Sequence, residues 1–299
     1  AGLNARIRPA FHRIGGARPG AGCCLTLPVG RPPARCHAPP TPAHTATMTA
    51  TAELACTACP ALTEAELVIA ARSLGAAGTG GARLVAALMD PGLHGDALAK
   101  RIGSEPGIAA RVLRVANSAY FGCTGTVATL ERAIQVLGMQ GIKGAAAAAC
   151  MDRLVSGACA GAGFDADRFR RHSLATACLG ARLARALAPD LAEELFMAGL
   201  LHDLGVVVQW RLRPQGMQAL MRSLAARHVP DDSLRHAEIH HVGATHEHCT
   251  AVVLQSWQLP DCLVQAVARH ESASLADSLD LAALKRCADS LSSHLGMRL

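Results

Sequence analysis

Aromatic side chains are scarce in this 299-residue sequence: two Trp, one Tyr and five Phe make up 3% of it. A sheet that relies on aromatic cross-strand pairs has little to build with. The apolar content is carried mainly by Ala, Leu and Val, including the run GAAAAAC over residues 144–150, and this composition favours helix. Also missing is any stretch of about 18 uncharged apolar residues, the length a membrane-spanning helix requires. A soluble, cytoplasmic protein with no membrane partner is expected.

Acids are absent from residues 1–52, which hold six arginines and eight of the fifteen prolines. The formal charge of +6 therefore resides in that segment, and residues 53–299 carry 23 basic and 23 acidic side chains. A neutral body lacks the clustered basic surface that counterion release needs, so nucleic acid is not an expected partner. Residues 1–52 show no apolar period of 2 or 3.6 and read as a disordered Pro/Arg-rich leader. Met48 stands just before the composition changes, and a start assigned upstream or an untrimmed leader accounts for the segment. The twelve cysteines are scattered, and Cys56 to Cys59 is an isolated CxxC without a second pair at zinc spacing. Cys150, Cys178 and Cys287 sit in helical patterns and are expected to act as small buried hydrophobes in a reducing compartment.

What is present is ample for a core: 51% hydrophobic against 17% charged residues. The pattern predicts an all-α chain in two helical lobes, 53–160 and 161–299. In the first, Thr63 and Glu66 form a capping box for a helix to Ala77, which Gly78 to Gly81 end. Another helix stops at Asp90-Pro91. Asp96 and Ser104 are placed to cap the next two, and Ile108, Val112, Val115 and Ala116 give the second of these a buried stripe. TLERAIQVLG is a short helix closed by Gly138 and followed by a helix through the alanine run. In ANSAYFG, Asn117 and Ser118 suit backbone satisfaction at a helix end, and Tyr120 and Phe121 suit the lobe interface or a ligand. No constellation of titratable groups marks this lobe.

In the second lobe, a helix from about Asp167 to Ala188 places Phe169, His172, Thr176, Leu179, Leu183 and Leu187 on one face, so His172 points inward. Asp190 and Glu193 predict a capping box for a helix reaching Gly205. GLLHDLGVVV then puts His202 and Asp203 in its last turn, amid apolar residues. Imidazole beside carboxylate in such a place is costly unless the two are hydrogen-bonded or bind a metal. The dipeptide alone fits either case.

Further motifs follow: HAEIHHVGATHEHCTAVVLQSWQLP, AVARHE and LKRCADSL. With GIAARVLRVANSAYFG, TLERAIQVLG, RHSLATA and FMAGLLHDLG, in that order over about residues 80–290, the chain resembles the HDOD family. That domain couples a helical lobe to one similar to the HD superfamily of metal-dependent phosphohydrolases. The resemblance implies an HD-domain-like bundle with divalent-metal ligands at His172, His202, Asp203 and Asp289. His246 and His270 fall where two-metal variants carry additional histidines. Iron, manganese or nickel is favoured over zinc if the site exceeds four ligands.

By the same resemblance the protein is a bacterial signal-transduction module, regulatory and without catalysis, with signalling protein partners and a nucleotide ligand. The alternative is a phosphohydrolase acting on a nucleotide or cyclic nucleotide second messenger. No Gly-Tyr-Pro of the HD-GYP phosphodiesterases occurs, and no Arg or Lys marks a phosphate clamp in the sequence. Thr250 stands where a glycine is usual and is expected to narrow the site. Glu271 replaces the second of a His-His pair, and Glu105-Pro106 stands for Asp-Pro. His240, His241 and His248 are expected to point apart or to solvent.

Overall fold

Helix follows helix through the residues described by this computed structural model, namely 59–77, 80–121, 125–158, 163–226, 231–270 and 280–297. The expected leader, Cys56 and Glu271 lie outside them. α1 spans Glu64–Ala77, α2 Gly81–Leu88, α3 Gly95–Gly103, α4 Pro106–Ala116 and α5 Leu130–Ala158. α6 spans Ala166–Leu187, α7 Ala192–Leu201, α8 Leu204–Leu212, α9 Pro214–Ala226 and α10 Asp231–Val242. α11 (His246–Ser256), α12 (Asp261–Ala268) and α13 (Leu281–His294) complete the bundle. Among the described residues there is no strand, and no helix is long and apolar enough to cross a membrane.

Local signals place several boundaries. The Thr63 backbone N–H donates to Glu66 Oε2 at 2.8 Å, and the Glu66 N–H donates to Thr63 Oγ1 at 3.3 Å, a reciprocal capping box. Gly138 adopts φ 70° and ψ 172° inside α5, a left-handed φ that glycine takes without Cβ strain. The short TLERAIQVL helix and the alanine-rich one therefore meet at a kink there, as expected. Asn117 closes α4 by donating from Nδ2 to the carbonyls of Leu113 and Val127, each at 2.8 Å, while its Oδ1 accepts the Val127 N–H.

Other caps differ. α3 begins after His94 without a side-chain cap, so Asp96 lies inside its first turn. Ser104 donates back to the Arg101 carbonyl and finishes α3, whereas Glu105 precedes Pro106. Glu193 caps nothing: its Oε1 accepts from the buried Lys143 Nζ at 2.8 Å, tying α7 to α5. Around the same junction Asp152 meets Arg111 and Arg170, and Glu105 meets Arg153. Residues 105–153 thus hold ion pairs, two of them to residues beyond 160, that periodicity did not reveal. Tyr120 and Cys178 are exposed, and Val115 is 40% exposed at the edge of the Ile108, Val112, Ala116 stripe.

The helix bearing GLLHDLG does not run through to Gly205. α7 ends at Leu201, His202 is its C-cap, and α8 restarts at Leu204 with Asp203 as N-cap residue. Two glycines seat this break in the core. A Cβ on Gly199 would meet Ala177 backbone atoms of α6 at 2.8 Å, and one on Gly205 would meet the His246 carbonyl oxygen of α11 at 1.9 Å. Thr250 completes the joint. Its Oγ1 accepts the Gly205 N–H at 2.8 Å and lies 2.8 Å from the carbonyls of His202 and His246, to either of which its O–H can donate. Thr250 therefore braces the turn, and the expected narrowing of the site is better described as a tether.

Residues 58–299 form one compact unit. α1 packs on α11 and α8 as well as on α5, and a continuous apolar cluster runs from Leu67 and Ile108 through Phe169 to Leu254 and Leu284. Replacing Gly205 by alanine should cost about 3 kcal/mol, since the added methyl meets backbone that cannot rotate away. The urea midpoint of the Gly205→Ala protein, compared with wild type at equal m, measures it.

Candidate metal centre

Four side chains from separate elements converge beside the α7–α8 break. His172 comes from the inner face of α6, and its Nε2 lies 3.2 Å from His202 Nε2, 3.3 Å from Asp203 Oδ2 and 3.2 Å from Asp289 Oδ1 of α13. His202 Nε2 is 3.0 Å from Asp203 Oδ2 and 3.8 Å from Asp289 Oδ1. His172, His202 and Asp203 are all buried.

The outer nitrogens determine what the inner ones present. His172 Nδ1–H donates to the Met297 carbonyl at 2.7 Å. His202 and His270 each stand at a helix C-terminus and donate from Nδ1 to a carbonyl three residues back, Gly199 at 2.8 Å and Val267 at 2.6 Å. Those carbonyls lie in last turns, where the regular helical donors run out and a side chain can supply one. A neutral imidazole whose Nδ1 holds the proton presents a lone pair at Nε2. Two such lone pairs and two carboxylates facing one another crowd acceptors together in a buried space, an arrangement that a cation reconciles. The residues therefore fit a divalent ion, with the outer hydrogen bonds orienting each ring as metal sites require. No cysteine is among them.

Without metal, a proton does part of this work. Burial alone would lower the His172 pKa, but hydrogen bonds and charge from Asp203 and Asp289 outweigh it and raise it to about 10. Burial, then Lys285, lower His202. Against their burial, Asp203 is held well below the usual carboxylate range by His202 and His172, and Asp289 is lowered foremost by Lys285, whose Nζ lies 3.1 Å from Oδ2. Burial and the neighbouring cation push His270 well down.

A second group shares Asp203. Its Oδ1 is 3.9 Å from His246 Nε2, and Asp203, His246 and His270 together place ligand atoms within 4.8 Å of one another. One carboxylate thus faces both sets. His246 is fixed by Glu238, which takes its Nδ1–H at 2.8 Å and its backbone N–H at 3.2 Å. His240 and His241 instead stack edge to face, and His248 is exposed near Glu64.

The centre lies at the side of a cavity of about 400 Å³ that His172, Asp203, His246, His270 and Asp289 help to line. Phe164, Val206 and Trp210 make an apolar wall, with the Phe164 and Trp210 rings 6.2 Å apart. Arg168 and Arg286 also line it. Sequence reading counted Glu238 among the features of the family resemblance without giving it a role, and passed over Lys285 and both arginines. Only Lys285 left a local trace, four residues before Asp289 on one helix.

An all-helical bundle enclosing a His, a His-Asp pair and a distant Asp defines an HD-like protein. The HDOD domain model matches residues 81–273, well over half of the chain, which belongs to the HDOD family. An HDOD domain protein of unknown function from Geobacter sulfurreducens superposes with a TM-score of 0.63 at 17% identity, over 81% of this chain and 76% of that one. A Shewanella amazonensis protein provisionally named a phosphohydrolase gives 0.62 at 24% identity, covering 78% and 81%. A Marinobacter aquaeolei protein provisionally named a signal transduction protein gives 0.61 at 22%, covering 73% of this chain and 49% of that one. These similarities establish the fold. No curated protein matches the sequence.

Because a metal must displace the proton that His172 holds, while Asp203 and Asp289 are already ionised above pH 4, affinity should rise with pH, about tenfold per unit toward the His172 pKa. Mn²⁺ dissociation constants at pH 6.5, 7.25 and 8 test this. A flat profile would place the ion elsewhere. The His202→Ala, Asp203→Ala double variant should lose binding and keep its helical circular dichroism.

Proposed function

We propose that this protein is a regulatory HDOD module of bacterial signal transduction, cytoplasmic and without catalysis, whose metal centre shapes a pocket for an anionic nucleotide and whose output is contact with signalling partners. The observation that carries the reading is how the pocket's carboxylates are employed. Asp203 and Asp289 face the imidazoles, Glu238 is taken up by His246, and Asp165 caps α6 by accepting the Arg168 N–H at 2.9 Å. Among the described residues, a molecule in the pocket meets no uncommitted carboxylate to act as general base. It meets instead two guanidinium groups suited to phosphate and an aromatic wall suited to a base.

Histidine and carboxylate donors without thiolate favour iron, manganese or nickel over zinc once more than four ligands are used. Bound there, a divalent ion would supply Lewis acidity toward phosphate oxygens. His172, His202, Asp203 and Asp289 would hold it, and His246 and His270 would hold a second ion or orient the ligand. Family membership supports the signalling partners, and the pocket's arginines and aromatic wall support the nucleotide.

One feature favours the second reading, a metal-dependent phosphohydrolase. Asp203 and Asp289 line the cavity, so a phosphate in it has access to the metal ligands. Substrate assays separate the two. Protein loaded with manganese, or with iron under anaerobic conditions, should turn over cyclic dinucleotides, cyclic mononucleotides and nucleoside phosphates more slowly than roughly 0.01 per second, far below the enzyme median of about 10 per second. A faster reaction absent from the His202→Ala, Asp203→Ala control would make the centre an active site.

A further inference from the structure

A second cavity, of about 500 Å³, lies on the other side of α6, among α4, α5, α6 and α7. Its floor is apolar and made of small or flat groups, among them Gly141, Ala145, Ala148 and Phe196. Leu174 and Val115 line it and remain 44% and 40% exposed, a water-facing apolar surface in the position where periodicity predicts burial for Val115. Arg111, Arg114, Lys143 and Arg185 surround this floor. Two of them are neutralised, Arg111 by Asp152 and Lys143 by Glu193, which among the described residues is the only acid lining the cavity. Arg114 and Arg185 are exposed, and among the described residues neither has an acid within ion-pair distance. The cleft thus combines an apolar floor with two unspent positive charges at its mouth.

Size decides what such a cleft takes. A volume of a few hundred cubic ångströms enclosed by four helices is that of a small-ligand pocket, apolar with few orienting polar groups. We propose that this cleft is a binding site for a free medium- or long-chain carboxylate, its chain on the Ala145, Ala148 and Phe196 floor and its headgroup between Arg114 and Arg185. The site is separate from the metal centre and does not rest on the function proposed for it. α6 is common to both, carrying His172 on one face and Leu174, Cys178 and Arg185 on the other.

Cys178 provides the assay. It is exposed, lines the cleft and feels the charge of Arg185, whereas Cys262 is also exposed, on α12, and lines no part of it. Alkylation of the full-length protein by N-ethylmaleimide, followed peptide by peptide, reads occupancy as the ratio of rates with and without ligand. Each protein is compared with itself, because replacing Arg185 also alters the thiol. Dodecanoate at about ten times its dissociation constant should slow Cys178 about tenfold and leave Cys262 unchanged, since unoccupied cleft falls as 1 + [L]/Kd. The Arg114→Glu, Arg185→Glu protein, altered only at exposed positions, should bind dodecanoate about tenfold or more weakly, from the loss of two ion pairs and the gain of two repulsions.

Absence of Cys178 protection by dodecanoate overturns the proposal. So does equal protection by dodecanol or dodecyltrimethylammonium, which would mean that the headgroup is not read, or by acetate, which would mean that the chain is not. Sedimentation with phosphatidylglycerol vesicles that the double variant abolishes would assign the cleft to a membrane surface and overturn it as well.

Discussion

The constraint on which the candidate site depends is backbone contact at two glycines. Where α7 gives way to α8, Gly199 lies against the backbone of α6 and Gly205 against the start of α11, with no room for a Cβ at either place. That double contact wedges the His202-Asp203 turn between two helices instead of leaving it at the surface, where helix ends normally lie. Burial of the pair, its distance from His172 and its proximity to His246 all follow. Thr250 strengthens the wedge by taking up the Gly205 N–H, a group that would be expensive to leave unsatisfied there.

Once the turn is buried, electrostatics governs the rest. Acceptors from His172, His202, Asp203 and Asp289 crowd together, with Lys285 donating to Asp289, and the centre is stabilised further by a proton or a metal. The outer shell leaves no freedom in this, because each ring commits its Nδ1–H outward: His172 to the Met297 carbonyl, His202 to Gly199, His246 to Glu238 and His270 to Val267. Lys285, fully buried beside Asp289, adds a fixed positive charge. Whatever occupies the adjoining cavity meets an environment set by these commitments, with arginines and aromatic rings on its walls. The same helix α6 that brings His172 to this centre carries its opposite face into the cleft at the α4–α7 junction.

Much of the fold was legible because its signals are local. The Thr63–Glu66 box, the kink at Gly138 and the inward face of His172 all depend on residues within a turn or two of one another. Where local reading went astray, a long-range partner had claimed the residue. Glu193 has the spacing of a capping box and instead pairs with Lys143, fifty positions away. Val115 lies three residues from Val112 and by spacing belongs to its stripe, yet it flanks a cleft whose other walls come from α5 to α7. The GLLHDLG segment has apolar content enough for a continuous helix, and only its packing against α6 and α11 shows why it breaks.

By itself the sequence determined the all-helical class and several helix boundaries up to α6, because periodicity and turn chemistry are properties of neighbouring residues, and the family resemblance of its motifs, in their order, supplied the six candidate ligands. Only the tertiary structure decided that His172, His202, Asp203 and Asp289 face one another with lone pairs inward, and that Asp203 also reaches toward His246. It also decided that Glu238 and Lys285 attend them and that arginines border both cavities. The physical reason is that none of these relations is carried by local spacing. His172 and the carbonyl that orients it are 125 residues apart, and such pairs exist only once helices have packed.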